Sequence, residues 1–213
     1  MTDSKIISQD ILDSVVDTLA DKGWIVDRSI FSAEDIARLR EACLADWEQG
    51  RFHEAAVGKG MQQDRRIEIR SDSVLWLEPG RGGEAVQLYF DRLDQVRQAV
   101  NRSLYLGLED LESHFAVYPR GAFYKKHLDR FRNDDARTLT AVLYLNQDWP
   151  EDAGGEMRLY LDDTCVRHLD VRPEAGTLVL FLSDRFWHEV LPAGHQRLSV
   201  TGWFRRRLGD LSW

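Results

Sequence analysis

Two imidazoles, one carboxylate and one guanidinium are the side chains of this 213-residue sequence best placed to do chemistry: His127, Asp129, His188 and Arg197. In an extended His127-Leu128-Asp129, side chains at i and i+2 leave the same strand face, so one imidazole and one carboxylate converge. A second imidazole from another strand, His188, completes a two-histidine, one-carboxylate facial set. Such a set holds non-haem Fe(II) and leaves coordination positions open. Arg197 follows on a returning strand and has the planar fork that clamps a carboxylate bidentately. Together they ask for a metal and an acid.

Strands must position these groups, and face parity says how. In the segment 138–145, Thr138, Thr140, Val142 and Tyr144 share one face, and Leu139, Ala141, Leu143 and Leu145 the other. In 197–204, Arg197, Ser199, Thr201 and Trp203 alternate with Leu198, Val200, Gly202 and Phe204. Each strand has one apolar face and one mixed face. If the mixed faces line a barrel mouth, Arg197, Thr201 and Tyr144 reach the same small acid. Further strands are expected at 113–118, 123–129, 157–161, 166–171 and 177–182, separated by Gly, Pro, Asn and Asp turns. Short strands at this spacing predict a sandwich or a jelly roll.

Helices come earlier. Ile11, Leu12, Val15, Val16 and Leu19 repeat at helical spacing between a Ser8 N-cap and a Gly23 stop. A strand at Trp24–Asp27 follows, then a helix capped by Ser32 with Ile36, Leu39, Cys43, Leu44 and Trp47 on one face. A third helix is expected from about Glu84 to Leu104. Between the last two lie a polar loop, 51–66, readable as a lid or as a plain surface connection, and a hairpin, 67–77, turning at Ser71-Asp72-Ser73. Helices first and strands after give an α+β ordering, with the N-terminal helices packed on one side of the β core. The expected organisation is one domain over 1–213, with helical support in 1–111 and the catalytic core in 112–207.

Composition narrows the function. A net charge of −8 and pI near 5.3 disfavour nucleic acid as the main partner. The basic run Arg205-Arg206-Arg207 reads as a solvated face. Two cysteines, Cys43 and Cys165, are too few for a disulfide framework. No signal peptide and no membrane-spanning apolar run is read, so a cytoplasmic protein is expected, probing no membrane. Of the other histidines, His114 and His168 are expected to be structural, His195 solvent-facing, and His53 part of the lid.

The stretch Tyr118 to Phe204 resembles the catalytic core of the 2-oxoglutarate/Fe(II) dioxygenases. More narrowly, it resembles the prolyl 4-hydroxylases that modify hypoxia-inducible factor and their bacterial relatives. The resemblance rests on Tyr118-Pro119, Tyr124-Lys125-Lys126-His127-Leu128-Asp129, Leu143-Tyr144-Leu145-Asn146-Gln147-Asp148-Trp149, Gly154-Gly155-Glu156, Ser183 to Val190, and Arg197 through Trp203. It implies a double-stranded β-helix (jelly-roll) core and iron ligands His127, Asp129 and His188, with Arg197 and Tyr144 on the distal carboxylate of 2-oxoglutarate. Tyr118 would hydrogen-bond near the metal and the cosubstrate, and Thr201 and Trp203 would line the pocket. The implied reaction consumes O2 and 2-oxoglutarate, with ascorbate as an auxiliary reductant, and hydroxylates C4 of a protein prolyl residue. Succinate and CO2 are the co-products. Elongation factor Tu is the partner implied by the bacterial relatives, and a monomer is expected.

Alternatives follow from the same residues. Nucleic-acid demethylases of this superfamily typically carry a second arginine six positions after the first, where this chain has Trp203. Collagen-type prolyl hydroxylases usually have lysine at the position of Arg197. Hydroxylation of another residue or of a small molecule stays open, because the 51–77 region has no decipherable signature. A non-catalytic jelly-roll binding module would require a lost ligand or arginine, and all four groups are present.

Overall fold

The computed structural model describes residues 6–55, 68–130 and 136–207. Three amphipathic helices come from the sequence periodicity: α1 (Gln9–Lys22), α2 (Ala33–Glu48) and α3 (Gly83–Leu104). Gly23 ends α1 at φ +80°, where a side chain would be strained and would also meet Arg185 and Phe186. Ser32 begins α2 with a reciprocal capping box to Asp35.

Eleven strands are described: β1 (Trp24–Asp27), β2 (His53–Glu54), β3 (Ser73–Leu77), β4 (Leu108–Tyr118), β5 (Tyr124–His127), β6 (Arg137–Tyr144), β7 (Met157–Tyr160), β8 (His168–Val171), β9 (Leu178–Leu182), β10 (His188–Val190) and β11 (Arg197–Arg206). They form a major sheet in the order β1-β9-β6-β11-β4-β3-β2 and a minor sheet in the order β5-β10-β7-β8. Every strand pair is antiparallel.

The predicted parity decides the layering. Leu139, Ala141, Leu143, Leu198, Val200 and Phe204 face the helices and join one core with Leu12, Leu39, Leu93 and Val96. Val142, Tyr144, Val179 and Phe181 point the other way and pack against Met157, Leu159 and Val171 of the minor sheet. The layers are helices, major sheet, minor sheet, so the helices cover one side of the jelly roll as expected. The space between the sheets is where the mixed faces meet.

Three expectations need correction. The strand expected at 123–129 covers only Tyr124–His127, so Asp129 lies past its end. The hairpin at 67–77 does not form between its proposed arms: β3 pairs with β4 on one edge and β2 on the other, while Arg70 bridges to Tyr124. Both edges of β3 are taken by longer-range partners. The Arg70–Asp72 ion pair, with Nε–Oδ1 at 2.7 Å, accompanies a corner there instead of a hairpin turn. Ile67 and most of the proposed lid (56–66) lie outside the described residues. The strand expected from Val166 starts only at His168, because Asp162 captures the amide N–H groups of Val166 and Arg167.

The basic run ends β11 opposite acidic residues, with Arg205 facing Asp110 and Glu112 at 3.7 Å and Arg207 facing Glu109 at 3.8 Å. Both cysteines are free, and burial pushes the Cys43 thiol up to about 12. Among the described residues, no helix is long and apolar enough to cross a membrane.

Candidate active site

His127 and His188 are direct cross-strand partners in the minor sheet, a pairing no sequence spacing reveals. Asp129 lies just past β5. The donor atoms of these three residues lie within 4.8 Å of one another. The Asp129 carboxylate is 3.5 Å from Nε2 of each histidine, through Oδ1 to His127 and Oδ2 to His188.

The imidazoles are aimed by their backbones. His127 Nδ1 is 2.8 Å from the Lys125 carbonyl and His188 Nδ1 is 3.1 Å from the Phe186 carbonyl. A carbonyl only accepts, so Nδ1 carries the proton and each Nε2 turns a bare lone pair toward the site. Burial pushes His188 down to about 4, against the pull of Asp129, keeping it neutral near pH 7. Burial works against the charged form of Asp129 too. The adjacent His188 and His127, when they carry a proton, outweigh it and hold the carboxyl well below its usual range. Two imidazoles and one carboxylate form the donor set suited to Fe(II).

Arg197 begins β11, on the major sheet. It is 1% exposed, yet it has no carboxylate partner among the described residues. Its Nε donates to the Gly155 carbonyl at 3.0 Å and its Nη1 to Ser199 Oγ at 3.4 Å. The Tyr118 and Tyr144 rings flank its guanidinium carbon at 4.8 and 4.9 Å. Among the described residues, the buried Tyr144 Oη has no hydrogen-bond partner. A buried cation without an anion is costly, so this corner fits an acid that brings both charge and acceptors. The arginine cradle and the imidazole–carboxylate set therefore suit 2-oxoglutarate and Fe(II).

One cavity of about 160 Å³ joins these parts, lined by His127, Asp129, His188, Tyr118, Arg197, Thr201 and Trp203 among others. Seven of the eight residues expected at the site thus share its wall. Tyr144 lies behind that wall, packed on Arg197. The volume holds on the order of ten water-sized groups, enough for a small dicarboxylate.

Sequence reasoning missed part of the wall. His114, expected to be structural, lines the cavity between the rings of Trp76 and Trp203, at 5.1 and 5.4 Å. Parity from Tyr118 carries the missing signal, since 114, 116 and 118 share a face. Tyr124 stacks on His127 at 3.7 Å, and Arg137 covers Trp203 at 3.7 Å. His53 lines the mouth from β2, whereas His195 is exposed in its turn and His168 is exposed on β8.

A family model for the 2OG-Fe(II) oxygenase superfamily matches residues 113–205. A crystal structure of a prolyl-4-hydroxylase from Pseudomonas putida is 46% identical, with a TM-score of 0.83, covering 92% of this chain and 100% of that one. The chain belongs to the 2OG-Fe(II) oxygenase superfamily. A further solved oxygenase, a Trichoplax adhaerens prolyl hydroxylase in complex with a hypoxia-inducible factor peptide fragment, is 25% identical. It aligns over 95% of this chain and 96% of that chain, with a TM-score of 0.84. The hypoxia-inducible factor prolyl hydroxylase of Caenorhabditis elegans is 32% identical over 91% of this chain, which spans 28% of that longer protein. As in other 2OG-Fe(II) oxygenases, Fe(II) belongs at His127, Asp129 and His188, and 2-oxoglutarate is the cosubstrate.

Proposed function

We propose that this protein is a prolyl 4-hydroxylase acting on a proline within a protein substrate. The observation that carries the reading is the buried, acid-free Arg197 sharing one cavity with the His127, Asp129 and His188 set. Full-length similarity to the Pseudomonas prolyl-4-hydroxylase supplies the prolyl target.

When bound, Fe(II) with 2-oxoglutarate and O2 supplies an oxidative decarboxylation, releasing succinate and CO2, strong enough to oxygenate an unactivated C–H bond. The chain's own residues orient and shield that chemistry. Arg197 grips the distal carboxylate, and the Tyr144 hydroxyl adds the donor it otherwise has no use for. Tyr118 packs over the guanidinium, with Thr201 and Trp203 closing the pocket beside it. Val142, Met157 and Val190 give the cavity an apolar side that excludes water. The half-exposed Trp76 at the mouth offers an indole face to an incoming segment. With ionised Asp129 and neutral His188, the metal site is ready near pH 7.

Elongation factor Tu is our candidate substrate, from the resemblance to bacterial relatives, and a cytoplasmic monomer with ascorbate-supported turnover is the setting. The free cysteines support a reducing compartment. Purified elongation factor Tu incubated with the enzyme, Fe(II) and 2-oxoglutarate should gain one oxygen on a proline, with equimolar succinate. His127→Ala should abolish both. Succinate release driven by other lysate proteins but not by elongation factor Tu would move the assignment to another protein substrate.

A further inference from the structure

The three expected metal ligands are not anchored alike. His127 and His188 are carried and cross-paired by the minor sheet, whereas Asp129, just past β5, is tied across the cavity to the major sheet. Its Oδ2 accepts from Thr140 Oγ1 at 2.8 Å, and Thr140 lies on β6 between Trp203 and Phe181. Thr140 Oγ1 is also 2.8 Å from Ser183 Oγ, just past β9. Thr140 and Ser183 are both fully buried.

The proton directions follow. An ionised carboxylate only accepts, so the single Thr140 proton points at Asp129. The second contact can then only be Ser183 donating to Thr140. Ser183 is itself fixed by its amide N–H to the Thr138 carbonyl at 3.1 Å. The result is a directed chain, Ser183 to Thr140 to Asp129, running from the floor of the major sheet to a ligand held by the minor one.

We infer that Thr140, polarised by Ser183, is a positioning residue for the metal. It holds Asp129 Oδ2, so Oδ1 is the carboxylate oxygen left free to meet a bound ion. It also sets the distance between the metal on the minor sheet and Arg197 on the major sheet, which 2-oxoglutarate must span. The inference concerns the iron site and holds whatever residue the enzyme oxygenates. Outer hydrogen bonds of this type typically change metal affinity on the order of 10- to 100-fold.

A merely structural role predicts otherwise, and the two separate cleanly. Thr140→Val keeps the shape but strands the Ser183 proton in a buried site, so it lowers both the melting temperature and metal affinity. Thr140→Val with Ser183→Ala removes both buried hydroxyls and should regain most of the lost melting temperature. Mn(II) binding, followed anaerobically by the paramagnetic signal of the free ion, is the readout, with melting temperature measured in parallel. The inference expects Mn(II) affinity at least tenfold weaker in both the single and the double variant, and near wild type in Thr140→Ser. With Mn(II) present, 2-oxoglutarate affinity should fall in the same two variants. Metal affinity that recovers with stability in the double variant would overturn the inference, as would unchanged Mn(II) affinity in a folded Thr140→Val. If Thr140→Val alone does not fold, the double variant and Thr140→Ser decide the question.

Discussion

Arg197 is held by contacts that leave it short of one thing, an anion. Lysine in its place keeps the charge but loses the fork and the stack between Tyr118 and Tyr144. Arg197→Lys should therefore lose about 1.5–3 kcal/mol of 2-oxoglutarate binding, roughly 10- to 100-fold in KM, with the fold intact. Titrating succinate formation against 2-oxoglutarate checks this, and an unchanged KM would remove Arg197 from the acid site. His114 makes a different prediction. Burial pushes its imidazole down to about 4, from an ordinary value near 6.5. Between those values the unfolded chain binds the proton and the folded one does not, so stability falls as pH drops from about 6.5 toward 4. Replacing His114 with phenylalanine should flatten that loss by about 2–3 kcal/mol between pH 7 and 4.5, read from denaturant melts at both. His127 and Asp129 were legible because two residues so close in the chain carry their chemistry locally. His114 and Thr140 were not, because their importance lies in who stands opposite, and cross-strand register has no local signature.

At the scale of elements, parity along β6 and β11 was enough to separate the helix-facing from the cavity-facing side chains. It could not say which strands pair. The proposed hairpin at 67–77 failed for that reason: alternation in β3 was read correctly, but its partners come from residues far away in sequence. Gly202 shows the same limit. It breaks the apolar face of β11, and only the packed structure gives the reason. A Cβ there would lie 2.5 Å from Ser113 Oγ and 2.9 Å from the Tyr89 hydroxyl. Those two hydroxyls are hydrogen-bonded to each other at 3.1 Å, joining α3 to β4. Gly202→Ala should thus destabilise by about 1–3 kcal/mol through overpacking, measured by chemical denaturation, while leaving 2-oxoglutarate KM nearly unchanged. A neutral substitution would mean that α3 yields more easily than its burial suggests.

Over the whole molecule, the helices cover one face of the major sheet and leave the other to the site. The minor sheet then closes over that second face, bringing the histidines to Arg197. Three layers place a metal on one wall and an acid clamp on the other, with Asp129 bridged between them. The proposed chemistry needs both walls at once. The most direct test follows the oxygen atom. Cell lysate is incubated with the purified enzyme, Fe(II), 2-oxoglutarate and isotopically heavy dioxygen, and its peptides are read by mass spectrometry. The prolyl hydroxylase reading predicts one heavy oxygen on proline, a second in succinate, and neither with His127→Ala. Heavy oxygen on another residue, or 2-oxoglutarate consumed with no labelled proline, would contradict it.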